Sequence, residues 1–194
     1  MQKNNIILAS SSRYRKQLLK KLPLNFTTAN PDIDESRNHN ETPKQLALRL
    51  ALSKARALQC EYNQHLIIAS DQVAMLDNQQ LTKPGDFNKN IEQLKACSGH
   101  HVDFYTSICI LDSASGQYYC DIDKTTVWFK KLSTAQITRY VDLDQAFDCA
   151  GGFKVESLGI ALFDRIESQD PNALIGLPLI RLINLFHKFG VQVI

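Results

Sequence analysis

Short apolar runs and polar breaks alternate along the chain, and the pattern predicts alternating strands and helices. Ile6–Ala9 has strand length and is followed by Ser10-Ser11-Ser12. Those serines are N-cap candidates for a helix with Leu18, Leu19 and Leu22 on one face, stopped at Pro23 and Asn25. Phe26–Ala29 predicts a second strand, and residues 30–41 are polar and turn-rich. Thr42-Pro43-Lys44-Gln45 reads as a helix start, with Thr42 as N-cap, Pro43 in the first helical position and Gln45 closing a capping box. The Ala/Leu-rich run behind it extends the helix to about Gln59. His65–Ala69 predicts a strand ending in Ser70-Asp71-Gln72, and Val73–Leu76 with Gln80–Thr82 predicts a hairpin around Asp77-Asn78.

Further along, a helix is expected over roughly 88–97, with Gly99 just past its end. His101–Leu111 and Gln117–Phe129 predict two long strands joined at Asp112–Gly116. Ser133-Thr134-Ala135-Gln136 is a second capping box, opening a helix to about Leu143. Cys149–Ser157 is expected to be a glycine-containing loop, Gly159–Ile166 a strand, and Pro178–Phe189 a last apolar helix capped by Gly190. Alternation of this kind means an α/β fold. No repeat or long linker divides the 194 residues, so 1–194 is expected to be a single domain.

Composition narrows the partners. Hydrophobic residues make up 44% and charged residues 22%, which is ordinary for a globular chain. Twenty-two basic against 20 acidic residues leave a net charge of +2, low for a domain wrapped around a nucleic acid polymer, so an anionic partner is expected to be small. The first apolar run is too short for a signal-peptide core, and no stretch approaches the roughly 18 apolar residues of a membrane span. The five cysteines are scattered and never spaced CxxC, which argues against a disulfide framework or zinc knuckle and suits a reducing cytoplasm.

Three groups of residues could carry chemistry. Ser10, Ser12, Arg13 and Arg15 crowd the start of a helix, where free N–H groups and the helix dipole favour an anion such as phosphate. The same pattern also describes a plain serine cap with solvated arginines. Asp71 follows an apolar strand at its carboxyl end, where α/β sheets gather ligand sites, and could bind a metal, take a proton from water or simply cap a turn. Glu35, Lys54 and Lys83 are individually ordinary surface charges, but with the arginines and Asp71 they would make a site for a polyanion and a divalent metal. HExxH, GxSxG, Walker A and glycine-rich dinucleotide motifs are absent.

Taken in order, Ile7-Leu8-Ala9-Ser10-Ser11-Ser12-Arg13-Tyr14-Arg15, Asp34-Glu35, Lys54, Ser70-Asp71-Gln72-Val73, Lys83-Pro84, Ser98-Gly99 and Ala150-Gly151-Gly152-Phe153-Lys154-Val155-Glu156 resemble the Maf family of nucleotide pyrophosphatases. The resemblance covers essentially the whole chain. It implies an α/β fold similar to the inosine triphosphate pyrophosphatases, with a mixed, elongated sheet flanked by helices, two lobes around a cleft and often a homodimer. The implied reaction is metal-dependent hydrolysis of a nucleoside triphosphate to monophosphate and pyrophosphate, with Mg2+, Mn2+ or Co2+ as the cation. Carried over residue by residue, it makes Asp71 the catalytic carboxylate and Glu35 the residue that binds or orients the metal. Ser10, Ser12, Arg15, Lys54 and Lys83 then hold the triphosphate.

Within the family the chain resembles the 7-methyl-GTP branch. Relatives acting on dTTP or UTP carry Arg-Arg and Asp-Thr where this chain has Tyr14-Arg15 and Asp71-Gln72, and their late glycine-rich loop differs. Tyr14, Gln72 and Glu156 are thereby expected to set base specificity. A 7-methylguanine ring is cationic; an aromatic face attracts it, and a carboxylate accepts from its N–H edge. The alternatives are the same reaction on dTTP, UTP or another modified nucleotide, or a division regulator that binds nucleotide without turnover. Two departures from the family stand out: Arg13, where most relatives have Pro, and Ser107, where relatives often have Gly.

Overall fold

The computed structural model describes residues 5–194. Seven strands and five helices follow one another as β1 (Asn5–Ala9), α1 (Arg13–Leu19), β2 (Phe26–Ala29), α2 (Pro43–Ala57), β3 (His65–Leu76), β4 (Gln79–Leu81), α3 (Phe87–Cys97), β5 (His101–Asp112), β6 (Tyr118–Phe129), α4 (Thr134–Asp144), β7 (Phe163–Glu167) and α5 (Leu179–Lys188). The strands form one sheet in the order β2-β1-β3-β5-β6-β7, with β4 paired to β3. β1 runs parallel to β2 and β3, whereas β3–β4 and β6–β7 are antiparallel, so the sheet is mixed. The expected α/β architecture is present, and most element boundaries fall within two residues of the sequence pattern.

The chain divides into two compact units. The first contains the chain up to Asp71, Thr106–Asp123 and Asp170–Ile194. Its sheet is covered on both faces. Ile6, Leu8, Ile68, Ile108 and Ile110 pack against Leu18 and Leu19 of α1 and Leu182, Leu185 and Phe186 of α5. Strand alternation turns Ile7, Ala9, Ile67, Ala69, Cys109 and Leu111 the other way, against Ala51 and Ala55 of α2 and Leu58 beyond it. The small side chains on α2 let the helix lie close to the strands. Its capping box is complete: Thr42 accepts from the Gln45 N–H and Gln45 accepts from the Thr42 N–H. α5 starts from an acidic anchor instead, since the buried Asp170 accepts from the Ile180 N–H at 2.6 Å.

The second unit comprises Gln72–Tyr105 and Lys124–Gln169. Its core holds an aromatic cluster in which Phe153 meets Phe104, Phe129 and Phe163 edge-on, with centroids 5.5, 5.7 and 4.7 Å apart. Ser133 and Gln136 complete the second capping box at α4.

Three expectations need correction. β3 does not stop at Ala69: Ser70, Asp71 and Gln72 lie inside one 12-residue strand. The polar trio reads as a break in the sequence because its partners are remote. The Ser70 hydroxyl donates to Gly176 O, and Asp71 meets Lys54. Nor is Gly159–Ile166 all strand. A 3-10 turn spans Leu158–Leu162, and the strand begins only at Phe163. There Gly159 N–H bonds Lys154 O, and a Cβ on Gly159 would run into the Lys154 carbonyl, so the residue serves a close backbone approach. Finally, α1 ends at Leu19, with Leu22 beyond the helix though still packed on the core.

Two ion pairs made by Arg181 tie α5 to the sheet. Asp123 is fully buried and accepts from Arg181 Nε at 3.0 Å, while Arg181 Nη1 reaches Asp121 at 3.1 Å. Arg181→Met removes the cation from a buried carboxylate and is expected to cost about 3 kcal/mol in urea unfolding. Adding Asp123→Leu to Arg181→Met should restore part of that loss, because the buried charge disappears with it.

Candidate active site

In the first unit, α2 gathers the charged residues. Lys54 lies at the margin of its buried face and is only 7% exposed. Its ammonium is 2.6 Å from Asp71 Oδ1 and 2.6 Å from Glu35 Oε1, one cation bridging two carboxylates. Glu35 comes from the irregular segment after β2, and the same helix holds that segment in place. Arg49 Nε pairs with Glu41 Oε1 at 2.7 Å, and Arg49 Nη2 donates to Ser36 O at 2.8 Å. Asp34 closes a local turn by accepting from the Ser36 N–H and hydroxyl, both at 2.8 Å. Glu41 and Arg49 therefore position Glu35, a role that the sequence pattern did not single out.

Asp71 is held from the backbone as well. The buried Ser107 hydroxyl accepts from the Asp71 N–H at 3.2 Å and donates to Ala47 O of α2 at 2.7 Å. Ser107, which departs from the glycine common in relatives, thus clamps the strand at Asp71 to the helix that carries Lys54. Burial pushes the Asp71 carboxyl above its ordinary range, outweighing the opposite pull of Lys54 and Arg15, while Glu35 pushes the same way as burial.

The serine-rich turn forms beside this group. Ser12 is the N-cap of α1, accepting from the Arg15 N–H at 3.4 Å, and the Ser10 hydroxyl accepts from the Ser12 N–H at 3.1 Å. Arg15 Nε donates to Gly176 O at 2.9 Å, the same carbonyl that takes the Ser70 hydroxyl. Burial lowers the pKa of the Arg15 guanidinium, and the fields of Asp71 and Glu35 oppose that, so it stays charged. The segment around Gly176 went unnoticed in the sequence. Its signals were the turn residues Asp170-Pro171-Asn172, and the Thr106 hydroxyl fastens it through Ala173 O at 3.0 Å. Tyr14 is half-buried, and Arg13 stands 4.8 Å from its ring centroid and donates to its hydroxyl at 2.7 Å.

The remaining expected residues belong to the second unit. Gln72 follows Asp71 in β3, where alternation turns it to the opposite face of the strand. Lys83 is exposed between β4 and α3. Glu156 is exposed in the loop after α4. That loop is fixed at Gly152, whose φ is +73° and where a Cβ would strike the Asn90 side-chain oxygen. Asn90 is fully buried, and its amide has no hydrogen-bond partner among the described residues.

A divalent cation can be tested against these donors. Among the described residues no group of three or more His, Cys, Asp or Glu side chains could enclose a metal. Two carboxylates sharing one ammonium nevertheless match the sparse oxygen set that a magnesium-like ion uses when substrate phosphates and water complete its shell. Glu35 and Asp71 fit such an ion.

Comparison with known proteins agrees with this picture. Among solved structures, the Staphylococcus aureus Ham1 protein superposes with a TM-score of 0.53 over 97% of this chain and 100% of its own, at 14% identity. The chain thus falls in the class of α/β proteins with that fold. A profile of Maf-like proteins matches residues 5–189, and the chain belongs to the Maf family. It is 50% identical over 189 residues to the 7-methyl-GTP pyrophosphatase of Pseudomonas savastanoi pv. phaseolicola, covering 97% of this chain and 98% of the relative. The 7-methyl-GTP pyrophosphatase of Alcanivorax borkumensis is 51% identical over 187 residues, 96% of this chain and 95% of its own. The enzyme of the same name from Vibrio vulnificus is 47% identical over the full length of both chains.

The shifted Asp71 carboxyl can be read directly. In carboxyl-labelled protein without nucleotide or metal, its NMR signal should titrate above the ~3.9 of a free aspartate. In Lys54→Met it should titrate higher still, because the ammonium favours the charged form. A signal unchanged by the substitution would mean that Lys54 does not act on Asp71.

Proposed function

We propose that the protein hydrolyses 7-methyl-GTP to 7-methyl-GMP and pyrophosphate in a metal-dependent reaction. The observation that carries this reading is Asp71: a buried carboxylate of raised pKa, held by Lys54 and Ser107 next to a helix start that suits phosphate. The names of relatives about half identical to the chain support the choice of substrate.

In this mechanism Ser10, Ser12 and the N–H groups at the start of α1 take the phosphate oxygens, with Arg15, Lys54 and Lys83 neutralising their charge. Asp71 accepts a proton from the attacking water as the anhydride bond between the α and β phosphates breaks. Its raised pKa makes it a better base than an ordinary carboxylate. Glu35 would hold a divalent cation, with Mg2+, Mn2+ or Co2+ as candidates, and the cation would supply charge neutralisation on the phosphates; metal coordination by Asp71 is the alternative to its role as base. Lys54, already in contact with both carboxylates, keeps them oriented. Tyr14, Gln72 and Glu156 read the base: the tyrosine ring faces the methylated cation and Glu156 accepts from its N–H edge. No described helix is long and apolar enough to cross a membrane. The five cysteines, none of them in a disulfide in this structure, agree with a cytoplasmic setting.

A nucleotide panel with product analysis tests the reaction. With magnesium, manganese or cobalt, 7-methyl-GTP should give monophosphate and pyrophosphate, and a chelator should stop it. Release of orthophosphate and a diphosphate would place the cut elsewhere and sink the proposal. Binding without any product would favour a regulatory role. Asp71→Asn should lower kcat by about 10²–10⁴-fold in a folded protein.

Base recognition has its own test. Tyr14→Ala should lower kcat/KM for 7-methyl-GTP roughly tenfold, more than for GTP, if the stacked cation is worth ~1–2 kcal/mol. Glu156→Gln should narrow the preference for the methylated base. Equal losses on 7-methyl-GTP, GTP, dTTP and UTP would show that neither residue reads the base.

A further inference from the structure

β5 and β6 form a hairpin in a single register. Asp112 N–H bonds Gln117 O at 2.8 Å beside the turn, and Phe129 N–H bonds His100 O at 2.9 Å at the far end. Between them the Thr126 hydroxyl donates to Asp103 at 2.7 Å, and the Lys124 ammonium lies 5.8 Å from the Tyr105 ring centroid. All four pairs belong to the same alignment, and that alignment sets Cys109 directly opposite Cys120. Because 112 with 117 and 100 with 129 are hydrogen-bonded positions, alternation makes 109 with 120 a non-hydrogen-bonded pair. In such a pair the Cα atoms come to about 4.5 Å and the side chains lean together. That separation lies within the 4.4–6.8 Å range of disulfides.

The surroundings divide the labour between the two thiols. Cys109 is wholly buried against Ala51, Ala55 and Leu58, whereas Cys120 is half-buried at the margin of the same cluster. Arg56 of α2, stacked 5.2 Å from the ring centroid of Tyr118, lends Cys120 a nearby positive charge. Contact with Cys109 and Arg56 lowers the pKa of Cys120, while Cys120 and burial raise that of Cys109. Cys120 is therefore the attacking thiolate and Cys109 its resolving partner.

We propose that Cys109 and Cys120 are a reversible oxidation site, closing to a cross-strand disulfide in exchange with a low-molecular-weight disulfide. The Cys120 thiolate attacks one sulfur of glutathione disulfide, forming a mixed disulfide and expelling one glutathione thiolate. Cys109 gives up its proton, attacks the Cys120 sulfur and expels the second glutathione. Two protein thiols are oxidised and one glutathione disulfide is reduced to two glutathiones. Directly opposite Cβ atoms in a sheet stand about 4.5–5.5 Å apart, whereas a relaxed disulfide brings them to about 3.8 Å. The strands must pinch to close the bond, so it opens readily when reductant returns.

The test uses the reduced full-length protein and glutathione disulfide, and it does not depend on the proposed reaction. Titratable thiols should fall from five to three as two are consumed. Intact mass should drop by about 2 Da, for two hydrogens lost, and one cross-linked peptide should join 109 to 120, all reversed by dithiothreitol. Cys109→Ala should stall with one glutathione on Cys120, Cys120→Ser should form no intramolecular bond, and Cys60→Ser should behave as the parent. Five surviving thiols, a glutathione that stays on Cys120 in the parent, or a cross-link involving Cys60 would each overturn the proposal.

Discussion

The Lys54 ammonium between Asp71 and Glu35 is the contact on which the rest of the site depends. Two carboxylates brought to one point repel each other, and one of them is buried. Without a cation the arrangement would relax by moving Glu35 out or protonating Asp71. The fold spends much of its detail on preventing that. α2 is stripped to alanine where it meets the sheet, which brings Lys54 down to the strand, and Ser107 pins the backbone at Asp71 to the same helix. Arg49 and Glu41 fix the loop that brings Glu35 from the other side. Helix, strand and loop meet at one charge, and strand and loop are each held by a bond to α2.

The arrangement also bears on the proposed chemistry. A carboxylate that is too well paired is a poor base, and one left alone in a buried site is protonated. At Asp71 burial raises the pKa, and Lys54 and Arg15 oppose that shift. Arg15 is itself oriented by Gly176 O rather than by a carboxylate, so its charge is not cancelled by a direct partner at the helix start where anions gather. Ser70 and Arg15 converge on that carbonyl from a strand and a helix, which makes the segment before α5 part of the framework of the site.

What could be read in the sequence follows from range. Capping boxes at Thr42 and Ser133, the turn at Asp77-Asn78 and the paired strands around Gly116 are local signals, and each element appeared within about two residues of its expected place. β3 was misread at Ser70-Asp71-Gln72 because polarity inside a strand looks like a turn until the remote partners are known, here Gly176 and Lys54. The Gly159 strand failed for the same reason, since what bends the chain is the carbonyl of Lys154. Charge and family resemblance, not periodicity, grouped Glu35, Lys54 and Asp71, and the structure brings the three into direct contact. Ser107 stood out only as a departure from the family, and Arg49 and Glu41 escaped notice, because a positioning residue carries no motif. Its meaning lies in bonds to distant backbone.

β3, β5 and β6 each begin in one compact unit and end in the other, and neither unit is a continuous stretch of chain. Every boundary between the units therefore falls within a strand or next to one, never in a free linker. A gene fragment encoding either unit would carry severed strands with unpaired edges, so neither can travel between genes as a cassette. The two have had to be inherited, duplicated and altered together, and a substitution that loosens one long strand is felt by the folding of both.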